Sequence, residues 1–435
     1  MLTRRELALA GAGTALVLAS AASAQERPAN GPRFGPPLPD HVRGGTAISQ
    51  VFGDGQRFVA IAVGYDQEID TSKLATATFS VKGRTVERVY ANNAAALSDA
   101  ETNGRFVIIE LSPDDESAKL LVNTGDWRTL EHRKPTADVV QVGPVTTTAG
   151  ATYAANPTAI PITSVVNLIV DDFDQRVFSD PVTGNVVEYN LFVPTNYDPG
   201  RAYPLVLFMH DAGVTNTAVD TTLVQGLGAV VWASPEEQAK HESFVLAPQF
   251  PLEVATDNGG GSAWVETVVH LLEHVSAQYS IDQSRLYTTG QSGGAMVSLA
   301  TMIKYPDLFA ASYIVAGQWD PLKVAPLART RQWIVVAEGD TRAYPTQNQM
   351  TAVYEQNGTQ VSRSMWSGLS RPDEFTALVS AVTSENNPIN YTVLRKGTVV
   401  PAGQDDTSVA NHLNTWRIAY SIEGIRDWLF AQTGT

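Results

Sequence analysis

Cysteine is absent from this sequence of 435 residues. Its absence excludes disulfide bonds, thiolate metal sites and a cysteine nucleophile. Positive charge is scarce as well, since 30 lysines and arginines face 45 aspartates and glutamates. No cluster of basic residues stands out, and a nucleic-acid-binding protein needs a basic surface to displace the counterions of the phosphates. We therefore expect no nucleic-acid partner.

Long apolar runs are missing too. Beyond residue 24, no run approaches the roughly 20 apolar residues that cross a bilayer as a helix, so we expect no membrane span. The composition, 43% hydrophobic and 17% charged, is typical of a globular protein with a large core. A chain of this length is expected to form two domains. Nothing in the sequence indicates an oligomeric state.

Residues 1–24 have the pattern of an export signal. Thr3-Arg4-Arg5-Glu6-Leu7 precedes a mild run of Ala, Gly and Leu, and Ala22-Ser23-Ala24 offers a small-residue cleavage site. The paired arginines are typical of a twin-arginine signal. We expect this segment to be removed and the protein to be periplasmic or extracellular. Residues 25–43, rich in proline, are expected to form a flexible leader.

Short strand patterns fill the next part of the chain. Five segments are rich in β-branched and aromatic residues and are separated by Gly, Asn and Asp turns. These segments are Arg57–Val63, Thr76–Val81, Thr85–Tyr90, Arg105–Leu111 and Val139–Val145. We predict a small all-β sandwich over 44–148, followed by a linker over 149–162 that is rich in Thr, Ala and Pro. We assign the sandwich no chemistry of its own.

From residue 163 to 435 strands alternate with helices, which predicts a largely parallel sheet covered on both faces. The predicted strands are Tyr189–Val193, Tyr203–Met209, Phe244–Ala247, Arg285–Thr289, Ala311–Ala316, Trp333–Ala337 and Tyr391–Leu394. The predicted helices are Ala263–Tyr279, the run after residue 294, Thr346–Asn357 and a closing helix, Thr415–Gln432.

The stretch Gly290-Gln291-Ser292-Gly293-Gly294 is the centre of this second part. A glycine on either side of Ser292 lets the backbone turn tightly enough to present the hydroxyl. With a strand before it and a helix after it, G-x-S-x-G predicts the nucleophile elbow of an α/β-hydrolase fold.

A serine nucleophile needs a base within hydrogen-bond reach and a carboxylate that orients the base. In this fold they follow in the order Ser, acid, His. His412 is the one histidine after Ser292, and we predict it as the base, in a loop before the closing helix. Asp340, in the turn after a strand, is the favoured acid. Glu338 and Asp320 remain alternatives.

The oxyanion hole needs two backbone N–H groups, one from the residue after the nucleophile and one from the loop after an earlier strand. Gly293 supplies the first, and Ala212 is the preferred second, ahead of Asp211. His210 precedes the acid in the chain and is interpreted as structural.

Trp264, Trp319 and Gln291 are our candidates for contacts with the substrate. The two tryptophans lie where they could line an apolar cleft. Packing of the domain is an equally good explanation for both.

The resemblance to one known family rests on motifs spread over nearly the whole mature chain. They are Phe79-Ser80-Val81-Lys82-Gly83-Arg84, Tyr203-Pro204-Leu205-Val206-Leu207-Phe208, Phe244-Val245-Leu246-Ala247-Pro248-Gln249, the GQSGG elbow, Tyr305-Pro306-Asp307-Leu308-Phe309, Ala316-Gly317-Gln318-Trp319-Asp320, and His412 with Trp416. The chain resembles the secreted esterases, often labelled predicted peptidases, that carry an immunoglobulin-like domain before an α/β-hydrolase domain.

The resemblance implies an immunoglobulin-like identity for the sandwich and carboxylesterase chemistry on Ser292, Asp340 and His412. Two features depart from the family pattern. His-Asp-Ala-Gly at 210–213 replaces His-Gly-x-Gly, and a long insertion, 359–411, precedes His412. We expect the insertion to form a lid or a rim over the cleft.

The expected function is a serine carboxylesterase that needs no cofactor and acts on short- to medium-chain or aromatic esters, including polyesters. A serine peptidase of the same fold is the alternative, and a non-catalytic binding module is a third interpretation. His270-Leu271-Leu272-Glu273-His274 matches the H-x-x-E-H zinc motif. The apolar stripe of its helix predicts that both histidines face solvent, so we expect no metal site there.

Overall fold

The computed structural model of the protein describes residues 38–125, 129–256 and 259–434. The predicted export signal and most of the predicted leader lie outside the described residues. The end of the leader, from Val42 onward, is already part of the first strand.

The N-terminal part is built of β-strands. They are β1 (Val42–Phe52), β2 (Gly55–Ile69), β3 (Phe79–Val81), β4 (Val86–Asn92), β5 (Gly104–Leu111), β6 (Leu121–Asn123), β7 (Leu130–His132), β8 (Val139–Gln141), β9 (Val145–Thr146), β10 (Thr152–Tyr153), β11 (Asn156–Ile160) and β12 (Ile162–Asn167). One sheet has the order β12-β1-β2-β5-β4 and another the order β11-β8-β3. A buried hydrogen bond of 2.8 Å from the Tyr65 hydroxyl on β2 to Gln141 Oε1 on β8 joins the two sheets.

The predicted linker, 149–162, forms strands rather than irregular chain. β10 pairs with β9, and β11 pairs with β8. β12, which begins at Ile162, runs parallel to β1 at the edge of the larger sheet. Ile160 is buried and anchors the segment. The backbone of the segment therefore hydrogen-bonds to strands β1, β8 and β9. Its Thr, Ala and Pro composition did not predict this pairing.

The C-terminal part contains the main sheet. Its strands are β13 (Asp174–Ser179), β14 (Val186–Phe192), β15 (Tyr203–Met209), β16 (Phe244–Gln249), β19 (Ile281–Gln291), β20 (Ala311–Val315), β21 (Gln332–Ala337), β22 (Val361–Trp366) and β23 (Ile389–Leu394), with a small separate pair, β17 (Ala255–Thr256) and β18 (Gly260–Gly261). The order is β13-β14-β16-β15-β19-β20-β21-β23-β22. β13 and β14 are antiparallel to their neighbours, and the strands from β16 onward run parallel.

Helices cover both faces of this sheet. They are α1 (Thr221–Val224), α2 (Leu227–Val230), α3 (Pro235–Lys240), α4 (Trp264–Gln278), α5 (Gly293–Lys304), α6 (Ala343–Gln356), α7 (Pro372–Thr383), α8 (Ser408–Ala419) and α9 (Glu423–Phe430). On β15, Leu205 and Leu207 face the cluster that α4, α5 and α6 complete. Val206 and Phe208 face the cluster formed with α7, α8 and α9. The strand is thus buried on both faces, as a central parallel strand must be. Within the described residues, no helix is both long enough and apolar enough to cross a bilayer.

The predicted single closing helix is wrong, because the chain forms two helices there. α8 ends at Ala419 and α9 begins at Glu423, with Ile422 in an extended conformation between them. The break lets Tyr420, Ile422 and Ile425 all enter the core. α8 also begins earlier than predicted, at Ser408, where the Thr407 side chain accepts from the N–H of Ala410. His412 therefore lies within a helix and not in a loop.

Most of the insertion before His412, residues 359–394, belongs to the sheet and its cover and does not form a lid or rim. β22 extends the sheet as an edge strand beside β23. α7 follows it and buries Phe375, Val379 and Val382 in the core. α7 and its flanking loops form the crossover that the parallel neighbours β22 and β23 require.

Candidate active site

The backbone at Ser292 is strained and tightly packed. Its φ is 51° and its ψ −118°, values that a non-glycine residue rarely adopts. A Cβ on Gly294 would lie 1.9 Å from the Met209 carbonyl oxygen, and a Cβ on Gly290 would lie 2.5 Å from the carbonyl carbon of Gly294. Both glycines of the motif are thus required by close approach. The turn between β19 and α5 holds the Ser292 hydroxyl at the carboxyl edge of the sheet.

Three side chains from distant parts of the chain form one hydrogen-bonded row. His412 Nε2 lies 2.8 Å from Ser292 Oγ. His412 Nδ1 lies 2.6 Å from Asp340 Oδ2. Since an ionised carboxylate only accepts, the ring proton belongs on Nδ1, and Nε2 is left free to accept the serine proton.

Asp340 is almost fully buried and well supplied with donors. Its Oδ1 accepts from the N–H groups of Arg342 at 3.0 Å and Ala343 at 2.9 Å. Burial by itself opposes ionisation, but the contact with His412 and these two N–H groups outweigh it and lower the pKa of Asp340 below its usual range. The carboxylate is therefore kept in its charged form beside the imidazole.

The two alternative acids have other partners. Glu338 Oε2 accepts from the N–H of Lys396 at 2.9 Å and so braces the end of β23. Asp320 Oδ1 accepts from the N–H of Leu322 at 3.0 Å and caps a short helix, Pro321–Lys323. Of the three candidates, Asp340 is the one that the structure places against His412.

Helix α8 is locked to the loop that carries Asp340. The N–H of Thr341 donates to Ser408 Oγ at 3.0 Å. Asn411 packs so closely on Gly339 that a Cβ there would lie 2.3 Å from the Asn411 side chain. These contacts fix the distance between the carboxylate and the imidazole.

Two backbone N–H groups meet beside Ser292. Ala212 begins a short 3₁₀ helix, Ala212–Val214, and Gly293 begins α5. The N–H of the first residue of a helix has no acceptor within its own helix. A Cβ on Gly293 would lie 3.0 Å from the nitrogen of Ala212, so the two nitrogens border one small space. The arrangement can bind an oxyanion.

His210 braces the loop that carries Ala212. Its Nε2 accepts from the N–H of Phe250 at 2.9 Å. Its Nδ1 then carries the proton and donates to the carbonyl of Asp211 at 2.7 Å. Burial lowers the pKa of His210 and outweighs the opposing effect of Asp211. A neutral His210 joins β15 to the loop after β16.

A pocket opens beside the two N–H groups. The empty space there is about 230 Å³, part of which is open to solvent. Its walls are mainly apolar, and the residues around it are His210, Asp211, Ala212, Thr215, Phe250, Leu252, Glu253, Val254, Ala255, Gly293 and Val297.

Sequence reasoning missed the segment 250–255, which forms much of this pocket. One signal could have found it, because the segment directly follows β16, and loops after the carboxyl ends of parallel strands line the crevice of an α/β sheet.

None of the three predicted substrate contacts is among the residues around this pocket. Trp264 is buried and packs edge-on against Phe250, with ring centroids 6.3 Å apart. Trp319 is buried too, and its backbone N–H donates to Met350 Sδ at 3.2 Å. Gln291 is fully buried and donates to Asp211 and Gln225. Both tryptophans belong to one core cluster with Phe250 and Val254, and these two hydrogen bonds hold the Gln291 side chain inside the fold.

The histidines of the zinc-like motif have partners of their own. His270 Nδ1 lies 2.8 Å from Asp180 Oδ2. His274 Nε2 lies 2.7 Å from the amide nitrogen of Gln278, and its ring contacts Phe178. Both are half-buried, rather than facing solvent as predicted. Among the described residues, no three His, Asp or Glu side chains are grouped closely enough to hold a metal ion.

Two segments of the chain match models of known protein families. The family model "Esterase Ig-like N-terminal domain" matches residues 45–154, and the model "Putative esterase" matches residues 181–423. Acetylxylan esterase A of Aspergillus oryzae is 30% identical over 145 residues, which are 30% of this chain and 42% of that protein. Acetylxylan esterase A of Aspergillus ficuum is 34% identical over 147 residues, 32% of this chain and 45% of that protein. The matches thus span less than half the length of these relatives.

A solved structure described as a thermostable esterase is similar over most of the chain. It superposes with a TM-score of 0.78 at 29% identity, covering 90% of this chain and 100% of the other. This similarity and the observed sheet order confirm the predicted fold class, an α/β-hydrolase preceded by an immunoglobulin-like β domain.

Proposed function

This chain belongs to the esterase family, and on that basis we propose that it is a serine carboxylesterase whose catalytic residues are Ser292, His412 and Asp340. The family membership confirms the resemblance found in the sequence. The observation that carries the catalytic assignment is the hydrogen-bonded row from Ser292 Oγ through His412 to Asp340, at 2.8 and 2.6 Å.

The geometry supports acylation of Ser292 by the ester. His412 Nε2 takes the hydroxyl proton while Oγ attacks the ester carbonyl carbon. The carbonyl oxygen becomes an oxyanion and accepts from the N–H groups of Gly293 and Ala212. Asp340 stabilises the imidazolium that forms. The tetrahedral intermediate collapses, and the alcohol leaves with the proton that His412 returns to it.

Deacylation reverses these roles with water as the nucleophile. His412 accepts a proton from water, and the hydroxide adds to the acyl carbon. The second oxyanion uses the same two N–H groups. Its collapse releases the carboxylic acid and returns the proton to Ser292.

The acyl group we propose is short and uncharged. The pocket beside the N–H groups is small and mainly apolar, which favours an acetyl or another short acyl group over a long chain. The two relatives named as acetylxylan esterases support the same choice. We propose esters of short acids as substrates, within the short- to medium-chain class expected from the sequence.

A substrate series on p-nitrophenyl esters tests both proposals. We expect hydrolysis to be fastest with acetate and to decline from butyrate to octanoate. Ser292→Ala and His412→Ala should each lose several orders of magnitude in kcat. His274→Ala, on α4, where the ring is paired with Gln278, is the matched control for the loss of a histidine. Full activity in Ser292→Ala would overturn the assignment, and faster cleavage of p-nitroanilide peptides than of every ester would favour the peptidase alternative.

We also propose that the protein is exported, since residues 1–24 carry the twin-arginine pattern and a small-residue cleavage site. Expression of the full chain followed by mass determination of the product should give a protein that begins at Gln25. An uncleaved product recovered from the cytoplasm would contradict export.

A further inference from the structure

Gln291, the residue before the nucleophile, is joined by a buried hydrogen bond to the loop that follows β15. This loop carries Ala212 and is called the oxyanion loop below. Gln291 is fully buried, and its Nε2 donates to Asp211 Oδ2 at 3.1 Å. Asp211 Oδ1 accepts from the N–H of Gly213 at 2.7 Å and so caps the short helix that begins at Ala212. Hydrogen bonds thus connect the end of β19, through the Asp211 carboxylate, to the turn that presents the Ala212 N–H.

We propose that Gln291 and Asp211 are positioning residues for the oxyanion hole. They set the direction of the Ala212 N–H relative to the Ser292 hydroxyl. This inference rests on the proposed esterase function. It assigns Gln291 a role different from the substrate contact predicted from the sequence.

The covalent geometry explains why such a brace is useful. The Gly293 N–H is fixed by the same backbone turn as Ser292, so its position follows the nucleophile. Ala212 belongs to a different loop, after β15, and 80 residues separate Asp211 from Gln291 in the chain. An oxyanion donor is effective only within about 2.7–3.1 Å of the oxyanion, so the two loops must keep a fixed spacing.

Asp211 occupies the position of a glycine in the His-Gly-x-Gly pattern. A glycine has no side chain with which to cap the turn or reach the elbow strand. The Asp211 carboxylate does both, because Oδ1 accepts from the Gly213 N–H and Oδ2 accepts from Gln291 Nε2. The substitution therefore fits a loop whose conformation is held by a side chain.

Gln225 provides a matched control within the same cluster. The Nε2 of Gln291 also donates to Gln225 Oε1 at 3.0 Å. Gln225 is buried, but its other side-chain bond goes to the carbonyl of Thr222 and not to the oxyanion loop. Gln225→Met and Gln291→Met each leave polar groups of this cluster without a partner. Only Gln291→Met breaks the link to Asp211.

The test compares steady-state kinetics on p-nitrophenyl acetate for Gln291→Met, Asp211→Ala, Asp211→Asn and Gln225→Met. We expect Gln291→Met and Asp211→Ala to lose about 10- to 100-fold in kcat with KM nearly unchanged, less than the loss of a whole oxyanion donor. Asp211→Asn keeps an acceptor for Gly213 and should recover part of the loss. Gln225→Met should lose less than threefold, a change of about 0.7 kcal/mol or less in the barrier.

Two further measurements exclude a general loss of structure. The affinity for a boronic acid, which forms a tetrahedral adduct with an active serine, should fall by the same factor as kcat/KM in the two disruptive variants. The double variant Gln291→Met/Asp211→Ala should be no slower than the worse single variant, because both changes break one link.

Several outcomes overturn the inference. Equal losses in Gln291→Met and Gln225→Met, a change confined to KM, or multiplicative effects in the double variant would each show that the bond does not position the oxyanion loop. Wild-type activity in Gln291→Met together with loss in Ser292→Ala would reject this inference alone. Retained activity in Ser292→Ala would instead reject the proposed function.

Discussion

The Oδ2 atom of Asp340 lies 2.6 Å from Nδ1 of His412, and this contact decides which nitrogen of the imidazole faces Ser292. The other carboxylate oxygen is held by two backbone N–H groups. Asp340 is thus held on one side by backbone N–H groups and on the other by His412.

Asp340→Asn should reduce kcat on p-nitrophenyl acetate by about 10³- to 10⁴-fold. The amide can hold His412 in the wrong tautomer, and it lacks the negative charge that stabilises the His412 imidazolium. Glu338→Gln and Asp320→Asn, which change carboxylates that bond backbone N–H groups elsewhere, should stay within about threefold of the wild type. If kcat falls severely in Glu338→Gln or Asp320→Asn but not in Asp340→Asn, that other carboxylate is the catalytic acid and Asp340 is not.

Activity should increase with pH on the acidic side of neutrality, since a histidine base works only when it is neutral. The pKa of Asp340 lies below its usual range, so its carboxylate is still charged at the pH at which a histidine gains its proton. A plot of log kcat/KM against pH should therefore show an acid limb of slope about one, from a single group. A slope near two in that region would mean that Asp340 and His412 take up protons together.

Gly293→Ala should impair the oxyanion hole while the protein stays folded. The added Cβ would lie 3.0 Å from the nitrogen of Ala212 and would push the two donors apart. We expect a loss of about 10- to 100-fold in kcat, by comparison with removal of a single donor. Gly125→Ala, where the new Cβ would lie 3.4 Å from its nearest neighbour, Thr129, is the control. Unchanged kcat in Gly293→Ala would argue against Ala212 as the second donor.

Asp180 should stabilise the fold at neutral pH. Its carboxylate accepts from the Val182 N–H, the Thr183 hydroxyl and His270 Nδ1 at 2.9, 2.6 and 2.8 Å. Burial opposes the charge, but these hydrogen bonds outweigh it, and the pKa of Asp180 lies well below its usual value. Asp180→Ala should lower the free energy of unfolding by about 2 kcal/mol, as expected for hydrogen bonds to a charged group.

The sign of this pH dependence is fixed by the lowered pKa. The stabilisation by Asp180 is present above the pKa of about 4 that the residue has in the unfolded chain, and it is lost as the pH falls towards the folded-state value. Urea unfolding measures this effect at pH 7 and at pH 3. The free energies of unfolding of Asp180→Ala and the wild type should differ less at pH 3 than at pH 7. Asp114→Ala, at an exposed position, is the control. A difference in the free energy of unfolding that grows as the pH falls would contradict stabilisation by ionised Asp180.

Much of the C-terminal fold could be predicted from local patterns. β15 has the predicted bounds, Tyr203–Met209, because a continuous apolar run between polar turns is typical of a strand buried on both faces. α4, Trp264–Gln278, differs from its prediction by one residue at each end. The break between α8 and α9 was not predictable in this way, since Tyr420 and Ile422 fit a continuous helix equally well until the core they enter is known.

The sequence by itself determined the elbow, because the strain at Ser292 and the close approaches at Gly290 and Gly294 involve a few consecutive residues and the strand beside them. The order Ser292, Asp340, His412 was also readable, since a parallel sheet brings the carboxyl ends of successive strands to one edge.

Only the tertiary structure decided the contacts that depend on how those strand ends are spaced. It placed His412 on a helix 120 residues from Ser292 in the chain, turned Gln291 inward to Asp211 and formed the pocket wall from Phe250 to Ala255. The physical reason is that a side chain's direction at a strand end is set by the packing of neighbouring loops, and no local pattern of residues encodes that packing.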